Sequence, residues 1–287
     1  MRDHQGMPFT LARHPYPVVA RPVQLAARTE LAPGFLRLRL QERTSGALEG
    51  FLAPGPGDHF RVVVDGLDAD GLIPVGPDNR PLVPSSTYTA VAWELDAEPR
   101  WVEMDVVLHD DDAGRAGGSG AGGGDAGAQL AGARQHIRAG VARWSAIAPI
   151  GAPAVITGPK GSVLMTGRPD RVLLAGDDTA VPALRRYLGM LGPNARGDLL
   201  LETDHDPAVL ELEVPAGIAV SILSPQPGAP SASIVAALRD RPRPSADPAD
   251  VFVFICAEQS VVSPARALLA RWGIPVDSAV VKGYWKR

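Results

Sequence analysis

Apolar and charged side chains alternate one for one through "GFLRLRL": Leu36, Leu38 and Leu40 fall on one side, Arg37 and Arg39 on the other. That period of two marks a half-buried strand. "HFRVVVD" (His59–Asp65) reads as another strand, and "WVEMDVVLH" (Trp101–His109) alternates again, with Val102, Met104, Val106 and Leu108 on a single face. Proline and glycine clusters such as "APGPGDH" separate the runs. The first part of the chain therefore predicts short antiparallel strands that close into a barrel or sandwich.

Beyond Arg171 the period changes. "RVLLA" is a short apolar strand, "GDDT" a turn, and "AVPALRRYLGML" carries Val181, Leu184, Leu188 and Leu191 at helical spacing, with Pro182 tolerated in a first turn. "DLLLE" (Asp198–Glu202), "IAVSIL" (Ile218–Leu223) and "VFVFI" (Val251–Ile255) predict further strands, the last one fully buried. "SPARALLARWG" (Ser263–Gly273) predicts a helix capped by Ser263, with Pro264 at its first position and glycine at its end. Strands alternating with helices build a parallel α/β sheet, whose ligands bind beyond the carboxyl ends of the strands. The expected organisation is an antiparallel β-barrel over residues 1–167 and a parallel-sheet α/β domain over 168–287. Residues 110–140, rich in glycine and alanine, cannot build a packed core. They read as a flexible surface insertion, with a mobile lid as the functional alternative.

Composition narrows the classes. Hydrophobic residues are 45% of the 287, enough for real cores, and the net charge is −4. Without a basic excess, neither nucleic acid nor an anionic membrane surface is an expected partner. The single cysteine rules out an internal disulfide. No apolar run reaches membrane-spanning length and the first residues show no leader pattern, so a soluble, cytoplasmic protein acting on a small molecule is expected.

The chemistry-bearing candidates are few. In "LLAGDDTAVPAL" a strand ending at Gly176 opens onto a helix starting near Thr179, where unpaired N–H groups invite a phosphate or ribose. Equally, Thr179 caps the helix and Gly176 makes the turn. Asp177 and Asp178 repel a phosphate and suit hydroxyls or an amide. The glycine-rich dinucleotide and phosphate-loop signatures are missing. "TGPKGS" (Thr157–Ser162) is a tight turn, Cys256 reads as a small buried hydrophobe directly after its strand, and His109 as a strand-end side chain. The six histidines show no metal spacing, and no nucleophile elbow is present, so neither a metal site nor a catalytic residue is assigned.

Taken in order, "YT", "VLH", "GVARW", "GPKGS", "LLAGDDTAVPA", "CAE" and the terminal "KGYWKR" resemble the siderophore-interacting proteins, flavin-dependent ferric-chelate reductases related to the ferredoxin reductases. The resemblance runs from about Val18 to Arg287. It implies an FAD-binding barrel followed by an NAD(P)H-binding α/β domain, and reduction of iron(III) held by a siderophore. Carried over by position, Tyr88 and Thr89 meet the flavin ring, and His109 borders it. Gly140, Val141, Ala142, Arg143 and Trp144 form the helix start that cradles the diphosphate. Gly176, Asp177, Thr179 and Ala180 form the nicotinamide-nucleotide turn, and Cys256 and Glu258 lie where the nicotinamide approaches. Lys282 and Lys286 supply a basic patch for an anionic ferric chelate, with Trp285 between them and Trp93 also on the substrate side.

One departure is plain. Where the family has Arg-x-Tyr-Thr-x-Arg, this chain has Ser86-Thr87-Tyr88-Thr89-Ala90-Val91. Losing two charge-assisted bonds costs about 3–6 kcal/mol of flavin affinity unless Arg134, His136, Arg138 or Arg143 compensates. Two functions follow. One is an FAD- and NAD(P)H-dependent ferric-siderophore reductase, an oxidoreductase. The alternative is a flavin-less relative whose inter-domain cleft, lined by Tyr88, Val91 and Trp93, serves non-redox natural-product biosynthesis, for example as a cyclase, or binds a small molecule.

Overall fold

A computed structural model describes residues 9–68, 70–77, 82–108 and 140–287. His109 and residues 110–139, including Arg134, His136 and Arg138, lie outside the described residues. The chain divides into two compact units. One comprises Tyr16–Ala53 and His59–Gly161. The other gathers the stretch ending at Pro15, Pro54–Asp58 and Ser162–Arg287. The second unit thus draws in two short upstream segments besides the sequence from 168 onward. Its first strand, β1 (Thr10–Pro15), pairs with a later one (Gly161–Thr166, β9 below) in a two-stranded ribbon.

The first unit is an antiparallel barrel. Strands β2 (Ala20–Ala32), β3 (Phe35–Glu42), β4 (His59–Val63), β5 (Ser86–Thr89), β6 (Ala92–Glu94), β7 (Trp101–Val107) and β8 (Pro153–Thr157) follow the order β5-β4-β8-β2-β3-β7-β6. β5 and β6 are two halves of one bent run. β5 pairs with β4, β6 pairs with β7, and Val91 N–H donates to the Glu103 carbonyl at 2.9 Å. One strand therefore joins both edges, which removes the edge problem of an open sheet. The alternation expected for Leu36, Leu38 and Leu40, and for Val102, Met104 and Val106, holds: all six are buried in one core cluster. On the opposite face Arg37 forks onto Asp105 at 2.8 and 3.1 Å, and Arg39 reaches Glu103 at 2.7 Å while lying 4.0 Å over the Trp101 ring. Helix α1 (Val141–Ile147) packs Val141 into the same core and is followed by β8 and then β9 (Gly161–Thr166).

The second unit is a five-stranded parallel sheet of β10 (Arg171–Asp177), β11 (Gly197–Glu202), β12 (Ile218–Leu223), β13 (Val251–Glu258) and β14 (Ala279–Trp285), in the order β12-β11-β10-β13-β14. The chain starts at β10, winds outward through β11 and β12, then returns to β13. That reversal creates a topological switch point between β10 and β13, the place where open α/β sheets bind ligands. Helices α2 (Val181–Leu191), α3 (Ala232–Arg239) and α4 (Val262–Trp272) make the connections. Val181, Leu184, Leu188 and Leu191 are all buried, as their spacing predicts. Every residue of β13 is buried, which explains its unbroken apolar run.

Three local expectations need correction. Cys256 lies inside β13, because the strand runs three residues past Ile255. Ser263 does not cap α4: the helix is entered through a 3₁₀ turn, Gln259–Val261, which the Glu258 carboxylate caps. Thr179 likewise sits within a 3₁₀ turn, Asp178–Ala180, capped by Asp177. In both turns the acidic side chain at the strand end arrives before the Ser or Thr and takes the free N–H groups first.

Among the described residues, no helix is long and apolar enough to cross a membrane.

Candidate cofactor and substrate site

The carboxyl ends of β10, β11 and β13 each finish in a buried acid: Asp177, Glu202 and Glu258. Each turns its carboxylate onto the backbone that follows. Asp177 accepts from Thr179 N–H at 3.0 Å and from the Thr179 hydroxyl. Glu258 accepts from Ser260 N–H at 2.6 Å. Glu202 accepts from Ser231, Ser233 and Ile234 N–H at 2.7, 3.1 and 3.2 Å, at the start of α3. Helix starts bind phosphate because their N–H groups are unpaired and partly positive. Here a carboxylate already holds the N–H groups of Ser231, Ser233 and Ile234 at α3, and one N–H, of Thr179 or Ser260, in the turn before α2 and before α4. Burial raises the Glu202 carboxyl, and the three N–H bonds only partly oppose it. For Glu258 burial also pulls upward, but hydrogen bonds from Ser260, Arg287 and Gln259 together outweigh it and hold the carboxyl below its usual range.

Gly176 has a packing reason rather than a turn reason. A Cβ there would stand 2.5 Å from Ala180 Cβ and 2.9 Å from the Cys256 carbonyl oxygen. The glycine lets the first turn of α2 lie against the strand. Ala180 is fully buried in that contact. Cys256 is fully buried too, and burial pushes its thiol up to about 12. It is protonated and packed at neutral pH, with no nucleophilic character.

The C-terminal strand is fastened to this acidic rim. The Trp285 indole N–H donates to the second Asp177 oxygen at 2.8 Å, and Trp285 pairs in register with Glu258. Lys282, half-buried, pairs with Cys256, and Lys286 is exposed. So Asp177, Thr179, Glu258 and Trp285 are brought together, with Lys282 one strand pair away. The acceptors in this group suit ribose hydroxyls and a carboxamide. They do not suit a diphosphate. Glu202 went unnoticed in the sequence; the signal was an acid ending an otherwise apolar strand, the same pattern that Asp177 and Glu258 show.

In the barrel, Tyr88 pairs with Phe60 and Ser86 with Val62 across the β4–β5 ladder, so all four share a face. Tyr88 is half-buried against the core cluster. Burial raises its phenol, opposed by a hydrogen bond with the Ser86 side chain. Position 86 is thus occupied by a partner of Tyr88. Thr89 is buried, and Trp93 stands edge-on to Phe51 at 6.1 Å. Arg61 is exposed on the opposite face with Thr87 and Thr89, donating to Ser85 Oγ at 3.0 Å. On α1, Gly140 takes φ 107° and carries no capping side chain; Ala142 and Trp144 are half-buried, and Arg143 is exposed. The groups that would meet a flavin ring here are the Tyr88 phenol and, next along the strand on its other face, the Thr89 hydroxyl. Positions 86 and 91 give a flavin's diphosphate no charge.

Comparison with known proteins completes the picture. Residues 169–287 match the family model "Siderophore-interacting protein". Uncharacterized proteins of Mycobacterium tuberculosis and Mycobacterium bovis are 26% identical over 209 residues, which is 69% of this chain and 62% of theirs. A siderophore utilization protein from T. fusca superposes with a TM-score of 0.70 at 23% identity, covering 96% of each chain. The siderophore-interacting protein SipS from Aeromonas hydrophila gives 0.64 at 19%, covering 93% of this chain and 98% of that one. A flavohemoglobin from Malassezia yamatoensis, solved with bound FAD and heme, gives 0.53 at 13%, covering 93% and 60%. The fold is ferredoxin-reductase-like, and the C-terminal part of the chain, residues 169–287, is similar to the siderophore-interacting proteins.

Proposed function

We propose that this protein is a flavin-dependent reductase of ferric siderophores in which the flavin is held by its ring and exchanges freely. The observation that carries this reading is the Tyr88–Thr89 pair on the strand that closes the barrel, in a chain whose C-terminal domain matches the siderophore-interacting proteins. A bound flavin would take the two electrons of a hydride and pass them singly to iron(III), the substrate. The chain's own residues bind and orient. Tyr88 gives an aromatic face fixed by its contact with the barrel core and by Ser86. Thr89 gives a hydroxyl for the ring's polar edge. Asp177 and Glu258 receive hydroxyls or the carboxamide of a nicotinamide donor, with Trp285 fixing the Asp177 carboxylate. Lys282 and Lys286 attract an anionic chelate. Iron(II) then escapes because a less charged ion binds hard oxygen ligands more weakly.

Ring-only binding has a measurable signature. Where a diphosphate is gripped by two arginines, FAD outbinds riboflavin by the hundredfold or more that about 3–6 kcal/mol represents. Here the two flavins should bind within about threefold of each other, read by quenching of flavin fluorescence, and Tyr88→Ala should weaken both about equally. Stoichiometric, tightly held FAD would overturn the exchange. No flavin binding at all would overturn the redox function.

A second reading stands on the same missing charges. With no cation at positions 86 and 91 and a carboxylate at the end of each of β10, β11 and β13, the chain suits an uncharged organic ligand, as a non-redox biosynthetic enzyme would use. That reading gains if neither flavin quenches while an apolar natural product is retained through purification.

A further inference from the structure

At the amino ends of the parallel strands, opposite the acidic rim, the α/β unit holds a cavity of about 370 Å³. Its wall includes Arg171 and Val251, the first residues of β10 and β13, together with Asp198, Arg241, Arg243 and Trp272. Asp177 lies six residues beyond Arg171 along β10, roughly 20 Å at strand spacing. The wall has three arginines, Arg171 and Arg241 half-buried and Arg243 exposed, and one carboxylate. Asp198 is committed to Arg241 at 2.7 Å. Neither Arg171 nor Arg243 has an ion-pair partner among the described residues. Asp170, Asp247 and Asp250 lie nearby in sequence but do not line the cavity.

Arginines at this end of a sheet have a plainer use, which is to cap the carbonyls where α3 and α4 finish. Here that work falls to another residue: Arg271, outside the cavity wall, donates to the carbonyls of Leu238 and Arg241 at 3.0 and 3.3 Å. Arg171 and Arg243 are not used this way. Arg241 and Arg243 are each followed by proline (Pro242, Pro244), which holds the preceding residue extended. Successive extended residues alternate faces, so the arginines two apart reach the same side. Trp272 is 3% exposed, and no described residue accepts its indole N–H. The wall is rich in donors and poor in acceptors, and its size falls in the range of small-ligand sites.

We propose that this cavity is a binding site for a small oxyanion of two or more negative charges, a polyphosphate or polycarboxylate, gripped by Arg171 and Arg243. Guanidinium forks match the geometry of both groups. The site is independent of the flavin and of the acidic rim.

The test is calorimetric titration of the full chain with inorganic pyrophosphate and, separately, citrate, at constant ionic strength set by chloride. Saturable one-to-one binding of one or both is expected. Arg171→Gln and Arg243→Gln should each weaken it about tenfold or more, and Arg171→Lys less. Arg266→Gln, an exposed arginine on α4 away from the cavity, should change it by less than about twofold. Pyrophosphate alone would mark a phosphate ligand, citrate alone a carboxylate one; either supports the site. No saturation by either anion into the millimolar range, or binding that survives both glutamine substitutions in proteins with unchanged circular dichroism, would overturn it.

Discussion

At the level of single residues, Asp177 joins three parts of the α/β unit. One carboxylate holds the Thr179 N–H and hydroxyl and the Trp285 indole, and so ties β10, the start of α2 and the C-terminal strand together. Asp177→Ala leaves those donors without an acceptor in a buried place. Stability should fall by about 2–4 kcal/mol in urea unfolding, with a red shift of tryptophan emission as Trp285 is released. Glu258 makes a pH-dependent contribution. Its folded carboxyl lies below the ordinary glutamate range, so the stability it adds is present above the unfolded-chain value and is lost as pH falls through the folded one. Glu258→Gln should therefore flatten the acid limb of the stability curve below the ordinary glutamate range. Glu202 has the opposite sign, since burial raises its carboxyl and its contribution declines as pH rises through the folded value. That Tyr88 and Thr89 lie in a strand was legible from the β-rich stretch around them. The engagement of Ser86 with Tyr88 was not, because side-chain pairing along one face depends on the register with β4.

Strands and helices show where pattern suffices and where it does not. Alternation in β3 and β7, and helical spacing in α2, are properties of one face meeting one core, and they were legible. Helix beginnings were misread at Thr179 and Ser263, because the competing acceptor sits at the end of the preceding strand and only the tight strand-to-helix turn brings it to the N–H groups. The same turn makes Gly176 indispensable. Gly176→Val would drive its side chain into Ala180 and the Cys256 carbonyl. The expected cost is about 1–3 kcal/mol or more in chemical denaturation, with α2 displaced from β10. The joining of β5 to β6 around Val91 also escapes periodicity, since the bend resets which side chains face inward.

For the whole chain, two units were legible from the change of period near Arg171, whereas the upstream pieces that complete the second were not. Phe9 stacks edge-on to Phe252 at 6.0 Å, and Asp58 accepts from Gly55 N–H at 2.8 Å beside Ser162, both within the α/β unit. These are contacts of long sequence separation that no local pattern announces. A fragment limited to residues 169–287, the span of the family match, therefore lacks part of its own core. Expressed alone it should bind a hydrophobic dye and melt well below the same unit in the full chain, by calorimetry. The acids that close β10, β11 and β13 have one more effect. ATP, ADP and free phosphate, abundant wherever metabolism runs, compete for proteins whose helix starts are vacant. At the turns after β10, β11 and β13 they would meet a carboxylate that already holds backbone N–H groups, so a nucleotide docking here has to be recognised by its hydroxyls and ring rather than by its phosphates.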